Sequence, residues 1–247
     1  MSERPAARIS SLKILIGALA IVPLRFRVFA RALAVPFVLY LAFDSVWLIE
    51  SAVDLYELFP WAMFTLTQLT ELALYTIAAV TTHRIILLGP SSVPRYGIEW
   101  TRDTTRFFAW ALVFTSVAYA IVWILSRGFI TDRVPDESFL LASVPSVVIC
   151  VLLFTLARLL LVFPAAAVGQ PITLRHSWQL TRQRKLLMFL IVVVYPILIA
   201  LPARLISDTS TAGYLLSSIV SLLALVVTVI LLSFAYQQIQ KERAGGG

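Results

Sequence analysis

Six apolar runs divide the chain, and most of the charged residues fall in the stretches between them. The runs cover about 31–49, 61–83, 107–126, 139–163, 186–206 and 214–236. Crossing a hydrocarbon core takes about 20 consecutive apolar residues in a helix. In lipid, backbone groups must also bond within their own segment. The pattern therefore predicts an all-α integral membrane bundle, six helices in one transmembrane domain. Pro36, Pro145, Pro196 and Pro202 fall inside runs and predict kinks repaired by neighbouring groups. A shorter apolar stretch at 9–24 is followed at once by Arg25, Arg27 and Arg31. It is too short to span, and the following arginines do not suit a cleaved signal. It reads as a helix lying at the inner interface.

The charge pattern supplies the orientation. Of the twenty Lys and Arg, all but Arg127, Arg133 and Arg204 fall on alternate flanks, while Glu50, Asp54 and Glu57 occupy a flank without bases. Basic flanks stay on the cytoplasmic side, so both termini are expected inside, in a bacterial cytoplasmic membrane. Composition agrees: 60% of residues are hydrophobic and 13% charged, with a mean hydropathy of +0.91. The net charge of +7 is spread over several flanks without a nucleic-acid-binding motif, so nucleic acid is not an expected partner. Asp132, Asp136 and Glu137, with Arg133 among them, read as a solvated outer loop. Cys150 is the single cysteine, which excludes an internal disulfide. Two distant histidines do not make a metal site. No glycine-rich phosphate cradle is present, and no cofactor is expected.

Two segments look alike. His83–Pro90 (HRIILLGP) and Ala157–Pro164 (ARLLLVFP) each place an Arg six residues before a Pro, with aliphatic residues between. Each is followed by a stretch with Trp, Thr and Arg: Trp100–Arg106 in the first, Trp178–Arg182 in the second. Either the span–loop–span hairpin is duplicated in parallel, or the match is a coincidence of short apolar runs.

The second of these segments carries a resemblance. Arg158–Pro164, then Gly169, then Leu174–Arg182 (LRHSWQLTR) resembles a pattern in a broad group of bacterial multi-pass proteins. The group includes the membrane domain attached to some glycerophosphodiester phosphodiesterases and several uncharacterised families. Phe29–Pro36 and His83–Gly89 are similar to the same group. The resemblance implies a multi-pass membrane bundle and is silent on activity, because those families mostly lack an assigned one. The soluble phosphodiesterase barrel has no counterpart in these 247 residues, so its catalysis does not carry over.

Among single residues, Glu71 stands out because a carboxyl group inside a span is costly. Gln68 and Tyr75 lie one turn either side on the same helix face. The group reads either as a proton, ion or substrate contact or as polar glue between helices. Asp44 and Arg204, near the outer ends of their spans, are a possible pair. After the fourth run, Pro171 is placed to open an amphipathic helix. Ile172, Leu174, Trp178 and Leu180 would face lipid, and Arg175, Arg182, Arg184 and Lys185 its phosphates. Arg84, Arg158 and His176 join these as headgroup candidates; the alternative is anchoring and topology alone.

Three readings follow. One is an accessory or scaffold protein, not an enzyme, that contacts anionic inner-leaflet lipids and a membrane partner or a second copy of itself. Another is a small transporter or lipid carrier using Glu71. The last is an intramembrane lipid-modifying enzyme with Glu71 or His83 as base, which requires two polar groups converging on one point.

Overall fold

A computed structural model describes residues 11–46, 57–129, 139–206 and 210–245, all of it helix, turn or loop. The helices are α1 (Ser11–Leu24), α2 (Phe26–Ser45), α3 (Pro60–Leu87), α4 (Arg102–Phe129), α5 (Phe139–Ala157) and α6 (Val162–Ala167). They continue with α7 (Leu174–Leu180), α8 (Lys185–Phe189), α9 (Tyr195–Leu205) and α10 (Thr211–Gly245). Six helical segments are long and apolar enough to cross a membrane. Glu50, Asp54, Asp132, Arg133, Asp136 and Glu137 lie outside the described residues.

Helix α10 is the central post. It buries 44% of its most apolar window, against 17–28% in the other spans. Ile230 and Leu231 of α10 meet Ile85 of α3, Leu161 beside α6, Met188 of α8 and Ile191, all fully buried. Polar residues reinforce the same contacts. His83 Nδ1 lies 2.7 Å from Ser233 Oγ, and the Gln237 amide donates to the Ile86 carbonyl at 3.1 Å. Pro164-Ala165-Ala166-Ala167 is wholly buried, small side chains letting α6 approach closely. Phe107 at the start of α4 is buried and packs its ring 4.8 Å from that of Phe163.

Prolines shape the spans, and the neighbourhood repairs what they break. Pro36 has no N–H to give the Ala32 carbonyl four residues back. That carbonyl oxygen is met from outside by Gly97, whose ideal Cβ would sit 1.8 Å from it. A Cα–H of glycine therefore points at the freed acceptor, a weak C–H···O contact. Pro164 breaks the fourth span. Residues 158–161 leave the α-helix in turns, with the Phe163 N–H reaching back to the Leu160 carbonyl at 3.1 Å. Ahead of Pro196 the chain widens into a π-helical segment, Leu190–Val194, the usual relief for an interrupted bond ladder. The α3 end is a glycine cap: Leu88 and Gly89 N–H groups both bond the Arg84 carbonyl, and Gly89 has φ 96°.

Several boundaries differ from the sequence expectation: α3 runs on to Leu87 and α4 starts at Arg102. Helix α2 starts at Phe26, because Arg27 and Arg31 ride on its first turns with long stems that reach out of the apolar layer. Helix α10 continues past 236 to Gly245 through good helix formers such as Gln237, Lys241 and Glu242. Helix α1 forms where the interfacial helix is expected but is docked rather than peripheral. Ile14 and Ala18 enter the core, and the Tyr195 hydroxyl donates to Ser11 Oγ at 3.0 Å.

Candidate functional site

The basic flanks converge on one end of the bundle. Gly97 meets Ala32, Arg84 Nε donates to the Ala167 carbonyl at 2.9 Å, and Arg184 reaches Glu242 at 3.0 Å. At the other end, Asp44 of α2 meets Tyr214 and Ser218 of α10.

Helix α7 is fixed in that basic end by its buried face. Thr173 caps it, accepting from the His176 N–H at 3.1 Å. Ser177 and Thr181, both fully buried, donate hydroxyls to the Arg158 carbonyl at 2.9 and 3.3 Å. Arg158 returns the contact: Nη2 donates to the Trp178 carbonyl at 2.9 Å, and its Cζ lies 3.4 Å from the Trp178 ring centroid. The expected helix opening at Pro171 does not form. The chain starts α7 at Leu174, where the Thr173 cap supplies what Pro171 could not, an acceptor for a first-turn N–H. Nor does one amphipathic helix reach Lys185. Thr181 turns its hydroxyl back onto the Ser177 carbonyl at 3.0 Å, α7 stops, and Arg182 and Arg184 sit in the turn beyond it.

This break opens a cleft of about 340 Å³ between α7 and the end of α10. His176, Gln179, Arg182, Arg184, Glu242 and Arg243 line it. Arg184 Nη2 spans both carboxylate oxygens of Glu242, at 3.0 and 3.1 Å. Arg243 Nη1 donates to His176 Nε2 at 3.2 Å. The lining carboxylate is thus already engaged, and Arg182 and Arg243 face the opening with two carboxamides, Gln179 and Gln183. The sequence reading reached His176, Arg182 and Arg184 but not Arg243, Glu242, Gln179 or Gln183. The missed signal was Gln237–Arg243, which keeps helical composition and one apolar contact, Ile239, after hydropathy falls.

Other headgroup candidates go elsewhere. Arg175 and Lys185 are exposed and do not line the cleft. Trp178 is half-exposed, its ring held by Arg158. Arg84 is enclosed by the protein, 3.4 Å from Glu99, 3.6 Å from Asp103 and 3.1 Å from Thr101 Oγ1. The two look-alike segments therefore do one local job. Each Arg ties down a carbonyl at the end of a short helix, Ala167 for Arg84 and Trp178 for Arg158, where a cation is favourable.

Inside the spans, Tyr75 donates to Tyr40 across α2 and α3 at 2.8 Å. Asp44 lies one turn outward of Tyr40 and Glu71 one turn outward of Tyr75, so the two carboxyl groups share a layer. Asp44 is buried and accepts from the Tyr214 hydroxyl at 2.7 Å and from Ser218. It does not meet Arg204, which is exposed; the expected Asp44–Arg204 pair gives way to hydroxyls already on the adjacent face of α10. Gln68, Glu71 and Tyr75 share a face that looks into two interfaces: Gln68 accepts from Tyr119 on α4, and Tyr75 turns to α2. Among the described residues, no three His, Cys, Asp or Glu side chains gather as metal ligands.

Length, hydropathy and packing of these helices make this a multi-pass membrane protein. No family model matches the chain, and neither a curated protein nor a solved structure matches it.

Proposed function

We propose that the chain is an accessory or scaffold protein of a bacterial cytoplasmic membrane, with its basic end and both termini on the inner side. There it recognises anionic lipid headgroups through the α7–α10 cleft. The observation that supports this is the lining: Arg182 and Arg243 stand beside Gln179 and Gln183, Arg243 bonded to the neutral partner His176 and Glu242 satisfied by Arg184. Each base near an anionic leaflet contributes about 1 kcal/mol of attraction, and carboxamides add hydrogen bonds that bulk charge does not. Thermal unfolding in detergent tests it. Phosphatidylglycerol should raise the transition of the native protein, phosphatidylcholine should not, and Arg182→Gln/Arg243→Gln should lose the difference. An equal rise with both lipids, or an undiminished one in the variant, contradicts the reading.

A second reading, a carrier, rests on the Asp44–Glu71 layer, one helical turn from the Tyr40–Tyr75 hydrogen bond between α2 and α3. Proton-coupled substrate movement abolished by Glu71→Gln in proteoliposomes would favour it.

A further inference from the structure

On another flank of the basic end, a second cleft of about 450 Å³ lies between the start of α2 and the loop after α3. Arg27, Arg31 and Arg95 line it, with Ser91 between Pro90 and Pro94. Arg27 and Arg31 are one turn apart on α2, a spacing at which like charges repel. Arg95 is brought to them by a loop that has little freedom to move away. Two prolines fix its backbone. Gly97, at φ 66°, presses onto the Ala32 carbonyl, and the Thr81 hydroxyl holds the Gly97 carbonyl at 3.1 Å.

Elsewhere at this end, three guanidinium groups meet acids. Arg84 has Glu99 and Asp103, Arg106 has Asp103, and Arg184 has Glu242. No carboxylate lines this cleft. Among the described residues no ion pair involves Arg27, Arg31 or Arg95. The first turn of α2 carries no acid and its N-cap makes no side-chain bond. Three cations are thus held around one concavity that no carboxylate among the described residues lines, with Arg95 Cζ 5.6 Å from the Tyr96 ring centroid.

We infer that the Arg27–Arg31–Arg95 cleft is a binding site for a phosphate monoester. A diester headgroup brings one negative charge and two free oxygens. A monoester brings about −1.5 to −2 at pH 7 and three acceptor oxygens, which suits three guanidinium forks. Large apolar side chains close to the lining residues along the chain are exposed, Leu24 and Phe26 before Arg27, and Leu88 and Tyr96 at the two ends of the loop. Such side chains lie against acyl chains when the phosphate belongs to a lipid. The site shares no residue with the α7–α10 cleft and stands or falls separately from it.

The test counts lipids retained through detergent washing from nanodiscs holding equal phosphatidic acid, phosphatidylglycerol and phosphatidylcholine. The native protein should retain phosphatidic acid over phosphatidylglycerol by about tenfold. Arg27→Lys/Arg31→Lys/Arg95→Lys keeps every charge, and so the orientation, but loses the forks. Its preference should fall below about twofold. Arg95→Lys alone, at an exposed loop position, should lower the preference about threefold and serves where the triple variant does not fold. The α7–α10 cleft also retains anionic lipid, so the preference is read again in the Arg182→Gln/Arg243→Gln background, where phosphatidylglycerol held by that cleft is lost and the preference for phosphatidic acid should not fall. Glycerol phosphate in solution tells the two sources apart: displacement of the retained lipid assigns the site to a soluble phosphate ester, and persistence assigns it to lipid. A native protein that does not distinguish the two anionic lipids, or Lys variants with native selectivity, overturns the inference.

Discussion

Replacing Gly97 by alanine puts a methyl group 1.8 Å from the Ala32 carbonyl oxygen, with the backbone at φ 66°. Cβ atoms do not stand closer than 3.0 Å to such an atom, so loop and helix must part by at least about 1.2 Å, and both sides are backbone. Left-handed backbone costs a non-glycine residue roughly 1–2 kcal/mol, and forcing packed elements apart typically adds about 1–3 kcal/mol. Gly169→Ala is the control. Its φ is 72°, but the nearest obstacle is the Asp103 carboxylate at 3.1 Å, the end of a side chain that can turn aside. Gly169→Ala should therefore cost about 1–2 kcal/mol, and Gly97→Ala about 2–5 kcal/mol. Equilibrium unfolding in mixed micelles against a denaturing detergent measures both. The loop displacement also moves Arg95, so Gly97→Ala should blunt the phosphatidic acid preference while Gly169→Ala leaves it intact. Two variants within about 0.5 kcal/mol of each other would refute the contact between the loop and the proline-freed carbonyl.

Two further substitutions probe polar groups buried in the bundle. Asp44→Ala strips the acceptor from Tyr214 and Ser218 and should lower stability by about 2 kcal/mol, with Asp44→Asn losing less because it keeps one carbonyl oxygen. Arg158→Lys gives up the plane stacked on Trp178 and the bond to its carbonyl. A loss of about 1–3 kcal/mol is expected in the same unfolding assay, with Trp178→Phe milder because a ring remains.

The spans were legible in the sequence because the hydrocarbon core imposes one length and one polarity on every crossing. What escaped were features set by contacts rather than composition. Leu159 to Val162 is as apolar as any span interior, yet the chain turns there because Pro164 withholds an N–H. Arg27 and Arg31 read as a flank, although their stems let α2 begin beneath them. Arg84 and Arg158 looked equivalent. The structure gives one two carboxylates and the other an indole ring, and neither partner follows from spacing. Glu71 was picked out by its charge alone. That Asp44 shares its layer depends on α2 and α3 facing each other through Tyr40 and Tyr75. Both basic clefts are joined across long sequence separations, α7 to α10 in one and α2 to the α3–α4 loop in the other. Charge counting locates their end of the bundle but not their walls.

The most direct measurement is native mass spectrometry of the protein released from nanodiscs of mixed phosphatidylglycerol and phosphatidylcholine, beside Arg182→Gln/Arg243→Gln. Selective retention of phosphatidylglycerol by the native chain, lost in the variant, is the predicted result. Equal retention of both lipids, or selectivity that survives the variant, would contradict a headgroup site between α7 and α10 and turn attention to Glu71 and Asp44.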